Sequence, residues 1–220
     1  SSGSVEILDS VISGNYAAAQ GGGVFAGYDI TVDQSEISNN RAGDDGGGLY
    51  AQSGDITVTG SDLTGNAATF GAAINTQNAV AITDSEVSGN TGDQAVLAGN
   101  TLLVLRSSFL NNDGYAIQHV DGVANIDDSA FIGNEGFYGA IFSSGTLNIF
   151  SSLFQDNIGT GSGVVVNSGD GARIVNSTFV GNKAGAQEGI ISSYGDLDLE
   201  HVTVTRNVIE GDGAAVEVSG

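Results

Sequence analysis

The side chains with the most chemical capacity in this chain are carboxylates, and some of them are regularly spaced. Glu36, Asp62 and Glu86 each stand four residues before an asparagine, in the related stretches "SEISNN", "SDLTGN" and "SEVSGN". Stacked on neighbouring strands, such groups would sit about 5 Å apart and repel unless salt screens them or a hard cation bridges them. A second acidic group, Asp44 and Asp45, lies in "GDDGGG". Ca²⁺ takes clustered oxygens of this kind, so calcium is the one candidate cofactor; the competing expectation is a solvated acidic face.

A different chemistry would need an acid and a base about a scissile bond, or an Arg or Lys base beside a cation. The candidates are Arg106, His201, Asp84, Asp127 and Asp128. Arg106 and His201 occupy the same place in the repeat set out below but fall four repeats apart, about 19 Å at strand spacing. Both are therefore expected to be surface substitutions rather than partners, and His119 is expected to be the same. Thr31 and Thr57 make a single outward pair, too few for a threonine lattice, since their file continues Ala81, Leu103, Asn125. The glycines of "GNEGFYGA" and "GTGSG" precede neither a helix nor a Lys-Ser or Lys-Thr pair, so they are not phosphate loops. No catalytic residue is assigned.

What must position these groups is a repeat. Asparagines recur at Asn15, Asn40, Asn66, Asn90, Asn112, Asn134, Asn157, Asn182 and Asn207, at intervals of 22–26 residues. Five residues earlier stands serine in every repeat but the last, which has Val202. Three earlier stands a large apolar residue, among them Phe109, Phe131, Phe154 and Phe179.

Eight and ten residues before each asparagine the chain is again apolar in nearly every repeat, as at Val58 and Ile56 or Ile149 and Leu147. That alternation marks a strand with one buried face. Its phase resets before the serine, which requires a bend. After each asparagine, and a gap of variable length, comes a small residue followed by a branched apolar one ("GGGVF", "GAAIN", "YGAIF"), the entry to a third strand through a tight corner. Three short in-phase strands per repeat describe one coil of a single-stranded parallel β-helix, an all-β solenoid. About nine coils spaced by about 4.8 Å make a rod roughly 40 Å long.

In such a rod each repeat position becomes a vertical file. Stacked asparagines can pass amide hydrogen bonds from coil to coil, and asparagine also tolerates the left-handed backbone of a corner. The serine file shares the parity of the buried file and should point inward, hydrogen-bonded. The phenylalanines should stack.

Composition agrees. The 220 residues include 35 glycines and no proline, cysteine, methionine or tryptophan. Without cysteine there is no disulfide or thiolate chemistry. Helical repeat arrays would need stretches rich in Ala, Leu, Glu and Lys, and this chain is rich in Gly, Ser, Asn and β-branched residues instead. The formal charge of −21 repels nucleic acid and anionic membranes, and no apolar run is long enough to span a bilayer as a helix.

The motifs "GGGV", "GGGL", "GAAI", "YGAI" and "GAAV", with "FLNN", "FIGN", "FQDN" and "FVGN", resemble the polymorphic outer membrane protein repeats of bacterial surface autotransporters. That resemblance covers essentially the whole chain. It implies a right-handed β-helix on a cell surface, with adhesion as its role. The first coils depart from the family in using aliphatic residues where it favours phenylalanine.

The expectation is therefore one β-helix domain over 1–220, extracellular, a structural or adhesive stalk or fibre subunit and not an enzyme. Its loops, for example 16–22 and 41–47, would carry recognition, with a host or surface glycan as candidate ligand. Both ends stop in mid-pattern, so the segment is expected either to continue in a longer rod or to associate head to tail with other copies. A carbohydrate-active β-helix enzyme or binding module is the alternative.

Overall fold

The computed structural model describes residues 3–186 and 188–219. Its regular structure is strand throughout, and every strand pairing is parallel. Each of nine coils sends one strand into each of three sheets. The first sheet runs from Val5–Leu8 to Asp196–Glu200, the second from Val11–Ser13 to Thr203–Thr205. The third contains Val24–Ala26 in the first coil and Val216–Val218 in the last. Partners are the repeat equivalents: Ile126 lies between Val104 and Ile149, and Phe131 between Phe109 and Phe154. Offsets counted in the sequence are thus the register itself, because a strand face has a period of two and a one-residue slip would turn its apolar set outward.

The core fills the space between the sheets with inward files such as Ile37–Leu63–Val87 and Ile74–Val96–Ile117, all fully buried. Phe109, Phe131, Phe154 and Phe179 form one column, with ring centroids 4.8, 4.8 and 4.6 Å apart and planes within 7° of parallel. The coil rise sets this stacking, and each ring contributes about 1.5–3 kcal/mol by burial.

Two of the three corners are built alike. The residue just before each serine position, from Asp9 through Arg106 to His201, has φ of 46–54°. The residue just before each asparagine, from Gly14 through Asn111 to Arg206, has φ of 51–69°. This corrects the expectation for the asparagine: its neighbour, and not Asn itself, takes the left-handed turn. The reason is a division of labour. One residue bends the chain, and the next is left with its side chain pointing inward along the rod axis.

That side chain then closes the corner. The backbone N–H of Asn40 donates to Oδ1 of Asn66, and so does its Nδ2; Asn66 does the same to Asn90, and the pattern runs to Asn207. Each Nδ2 also donates backwards to a carbonyl of the preceding coil, as Asn134 does to Phe109 at 2.9 Å. An interior asparagine thus uses both amide donors and both lone pairs of its oxygen. At the other corner the N–H of Ser35 donates to Oγ of Ser61, and the Ser61 hydroxyl donates to the carbonyl of Thr59. The inward, hydrogen-bonded serines that the pattern predicted are present from Ser35 to Ser177.

Candidate functional site

The sequence-derived groups are spread around the rod rather than gathered at one place. On the second sheet, Glu36, Asp62 and Glu86 stack in register in one outward file between Val11 and Ser108. Glu36 and Glu86 accept hydrogen bonds from the hydroxyls of Ser38 and Ser88 on their own strands, at 2.6 and 2.7 Å, so those carboxylates lie along the strands. Asp44 and Asp45 lie beyond the asparagine corner, on the loop side. The carboxylate of Asp45 accepts from Gln20 at 2.8 Å and Asn75 at 3.3 Å, tying three coils together. The two acidic groups are therefore not joined, and among the described residues no three acidic or histidine side chains have the arrangement of a metal site.

At the first bend, Asp84, Arg106 and Asp128 hold the same left-handed position in consecutive coils. Arg106 grips Asp84 with two charge-assisted bonds, Nε–Oδ1 at 2.6 Å and Nη2–Oδ2 at 2.8 Å. The guanidinium holds Asp84 below the usual carboxylate range, and the carboxylate pushes Arg106 up. An arginine so paired keeps its proton. Asp127 is on the outward face of the first sheet beside Leu105, and His201 lies four coils on from Arg106. A shallow groove follows this bend past Arg106, Asp128, Ser151 and Asn176.

His119 is not the surface residue expected. It is fully buried at the end of a third strand, with Nδ1 2.9 Å from the hydroxyl of Ser143 and Nε2 without a partner. Desolvation lowers its pKa below the ordinary imidazole value, against opposing contributions from Asp121 and Asn100. It belongs to an inward polar file, Thr76–Ala98–His119–Ser143–Asn167–Ser193, that turns the chain back toward the first sheet. The alternation of the third strand put this position inward; histidine's polarity concealed it.

The third side holds features that the sequence analysis passed over. Between the asparagine and the file that runs Gly22, Gly47, Ala72, Gln94 and Tyr115 in the first five coils, the nine coils insert 6, 6, 5, 3, 2, 4, 5, 6 and 6 residues. In the fourth and fifth coils the third strand therefore runs straight from the corner, as Thr91–Ala98 and Asp113–His119. The long loops recede there, leaving a waist. Gln94 and Tyr115 occupy the file that is Gly or Ala in the other coils, and a bulky residue in a small-residue file was the available signal.

Around the waist lies an aromatic group. Tyr138 meets Tyr115 edge-on at 5.3 Å, Phe137 edge-on at 4.9 Å and Phe142 stacked at 4.3 Å. Phe137 is 46% exposed. Burial, then the charge of Asp93, raises the Tyr115 pKa. Further along, Glu188 is buried and accepts from the hydroxyls of Ser162 and Tyr194.

Residues 1–126 and 70–220 match the family model described as Right handed beta helix region. The chain belongs to that family. Comparisons with curated proteins and with solved structures give no match. The expected handedness is thus that of the family, and this right-handed β-helix has two closed, uniform corners and one side of variable loops.

Proposed function

We propose that this right-handed β-helix is an extracellular stalk or fibre subunit of the polymorphic outer membrane protein type, displayed on a bacterial cell surface, with an adhesive role borne by its loop side. The observation that carries the reading is the contrast between sides: side-chain hydrogen bonds fix two corners coil after coil, while the third varies from 2 to 6 residues and exposes Tyr16, Phe70 and Phe137. A scaffold that is rigid where it repeats and variable where it is aromatic is suited to presenting a surface. The pairing of Arg106 with Asp84 supports the non-enzymatic side of the reading, since a guanidinium kept protonated cannot serve as a base.

The test is adhesion of beads coated with the purified chain to cells or surface polysaccharide. Replacing loops 16–22 and 41–47 by Gly-Ser stretches of equal length should reduce retention while the circular dichroism spectrum stays unchanged. Undiminished adhesion would count against the loop side, and release of reducing or unsaturated sugar ends would favour a carbohydrate-active enzyme.

A further inference from the structure

The waist over the fourth to sixth coils has a chemistry of its own. Its floor is the stacked backbone of Gly92, Gly114 and Gly136, and a Cβ at any of the three would collide with the adjoining coil. Tyr115 and Phe137 line the waist together with Asp93, Asp113 and Glu135, and the charge of Asp93 acts on Tyr115. Asp113 and Glu135 are direct register partners on neighbouring strands, so two acidic residues rise from backbones about 4.8 Å apart. The ion pairs among the described residues are Asp84–Arg106, Arg173 with Asp198 and Glu200, and Lys183–Glu210; none reaches this groove. Beside Asp93, buried Gln94 has no hydrogen-bond partner for either side-chain amide atom among the described residues.

We propose that this waist is a docking groove for arginine side chains of a basic segment on a partner protein. Charge complementarity selects the occupant: a guanidinium is planar, can lie against the Tyr115 face, and can offer its fork to the Asp113–Glu135 pair. A bound cation relieves the repulsion between adjacent exposed carboxylates beyond what salt screening does, whereas a neutral sugar would leave it in place. The inference rests on the loop side being the recognition side and names the partner's chemistry there.

The test uses the purified chain and a labelled peptide of alternating arginine and glycine, with the same peptide carrying neutral citrulline as control, by fluorescence anisotropy at about 0.15 M salt. The arginine peptide should bind and the citrulline peptide should not. The double variant D113N/E135Q should weaken binding at least about tenfold and Tyr115→Ala about fivefold, as expected for desolvated charge pairs and a cation–π contact. The control E36Q/D62N, which removes the same charge from the second sheet, should change it less than about twofold. Equal losses in the two double variants would reduce the effect to the net charge and overturn the proposal. So would absence of arginine-peptide binding, or tighter binding of cellohexaose or of Ca²⁺ alone at the same residues. Unchanged circular dichroism secures the comparison, and bead adhesion that still depends on the loops would then leave the adhesive reading standing without this groove.

Discussion

The two closed corners and the loop side meet the same requirement by opposite means. At the corners, one left-handed residue bends the chain and the next passes a side-chain hydrogen bond to the coil beyond, so Asn66 and Asn134 repeat the same contacts. On the loop side the insertion before the third strand differs from coil to coil, and where that strand turns back toward the first sheet the contacts also differ: Thr76 donates to the carbonyl of Gly54, Asn167 to that of Gly145, and His119 pairs with Ser143. The difference shows where a solenoid can vary. A corner whose side-chain hydrogen bond depends on the identical residue one coil away cannot shift alone, while a segment tied to its neighbours mainly through backbone groups, as the Asp44 N–H is to the carbonyl of Ala19, can change length.

The comparison can be broken most sharply by insertion. One glycine added between Phe131 and Ile132 would throw Asn134 out of its file and turn part of the strand over, and it should abolish cooperative unfolding in guanidinium. Two residues added between Gly211 and Asp212, in the exposed loop of the last coil, should shift the unfolding midpoint little, because loop closure changes slowly with length, about 0.6 kcal/mol per doubling. Similar losses from both insertions would refute the distinction.

Phe131→Ala should rank next, at about 4 kcal/mol, since it leaves a cavity in the middle of a parallel ring column. Asn134→Ala should cost about 3 kcal/mol by orphaning the N–H of Asn112 and the carbonyl of Phe109, both buried. An asparagine corner no more sensitive than the exposed loop residue Asp44 would show that the side-chain file is incidental. Chemical denaturation of each variant measures both losses.

The smallest effect sharpens the loop side. The folded-state pKa of His119 is lowered by burial, so the unfolded chain takes the proton first as pH falls through the ordinary imidazole value of about 6.5. Its contribution is present above that pH and lost below it. His119→Ala, which copies Ala98 in the preceding coil, should remove part of the decline in stability between about pH 7 and 5. Parallel pH profiles for the two proteins would sink the assignment.

Much of this architecture was legible before any coordinates. The nine asparagines, their serines and the branched residues between them predicted the register of the first two sheets, the presence of the third, the aromatic column and the inward serines; in the third sheet Val165 and Ile191, each one residue beyond the small–branched pair, hold the register. Those features depend on period and parity, which a linear sequence displays directly. The candidate surfaces were less legible. Glu36, Asp62 and Glu86 were correctly placed in one file, but that Glu36 and Glu86 turn along their own strands toward Ser38 and Ser88 depends on rotamers. His119 was read by its chemistry when its parity should have governed.

The sequence by itself determined that equivalent residues stack, because a strand buries alternate side chains and a repeat brings the same alternation back at each coil. Only the tertiary structure decided which residue of each corner takes the left-handed turn, which buried polar groups find partners, and how Tyr115, Phe137, Asp113 and Glu135 surround one waist. Those outcomes turn on the close approach of groups 22 or more residues apart along the chain, a distance that local pattern does not encode.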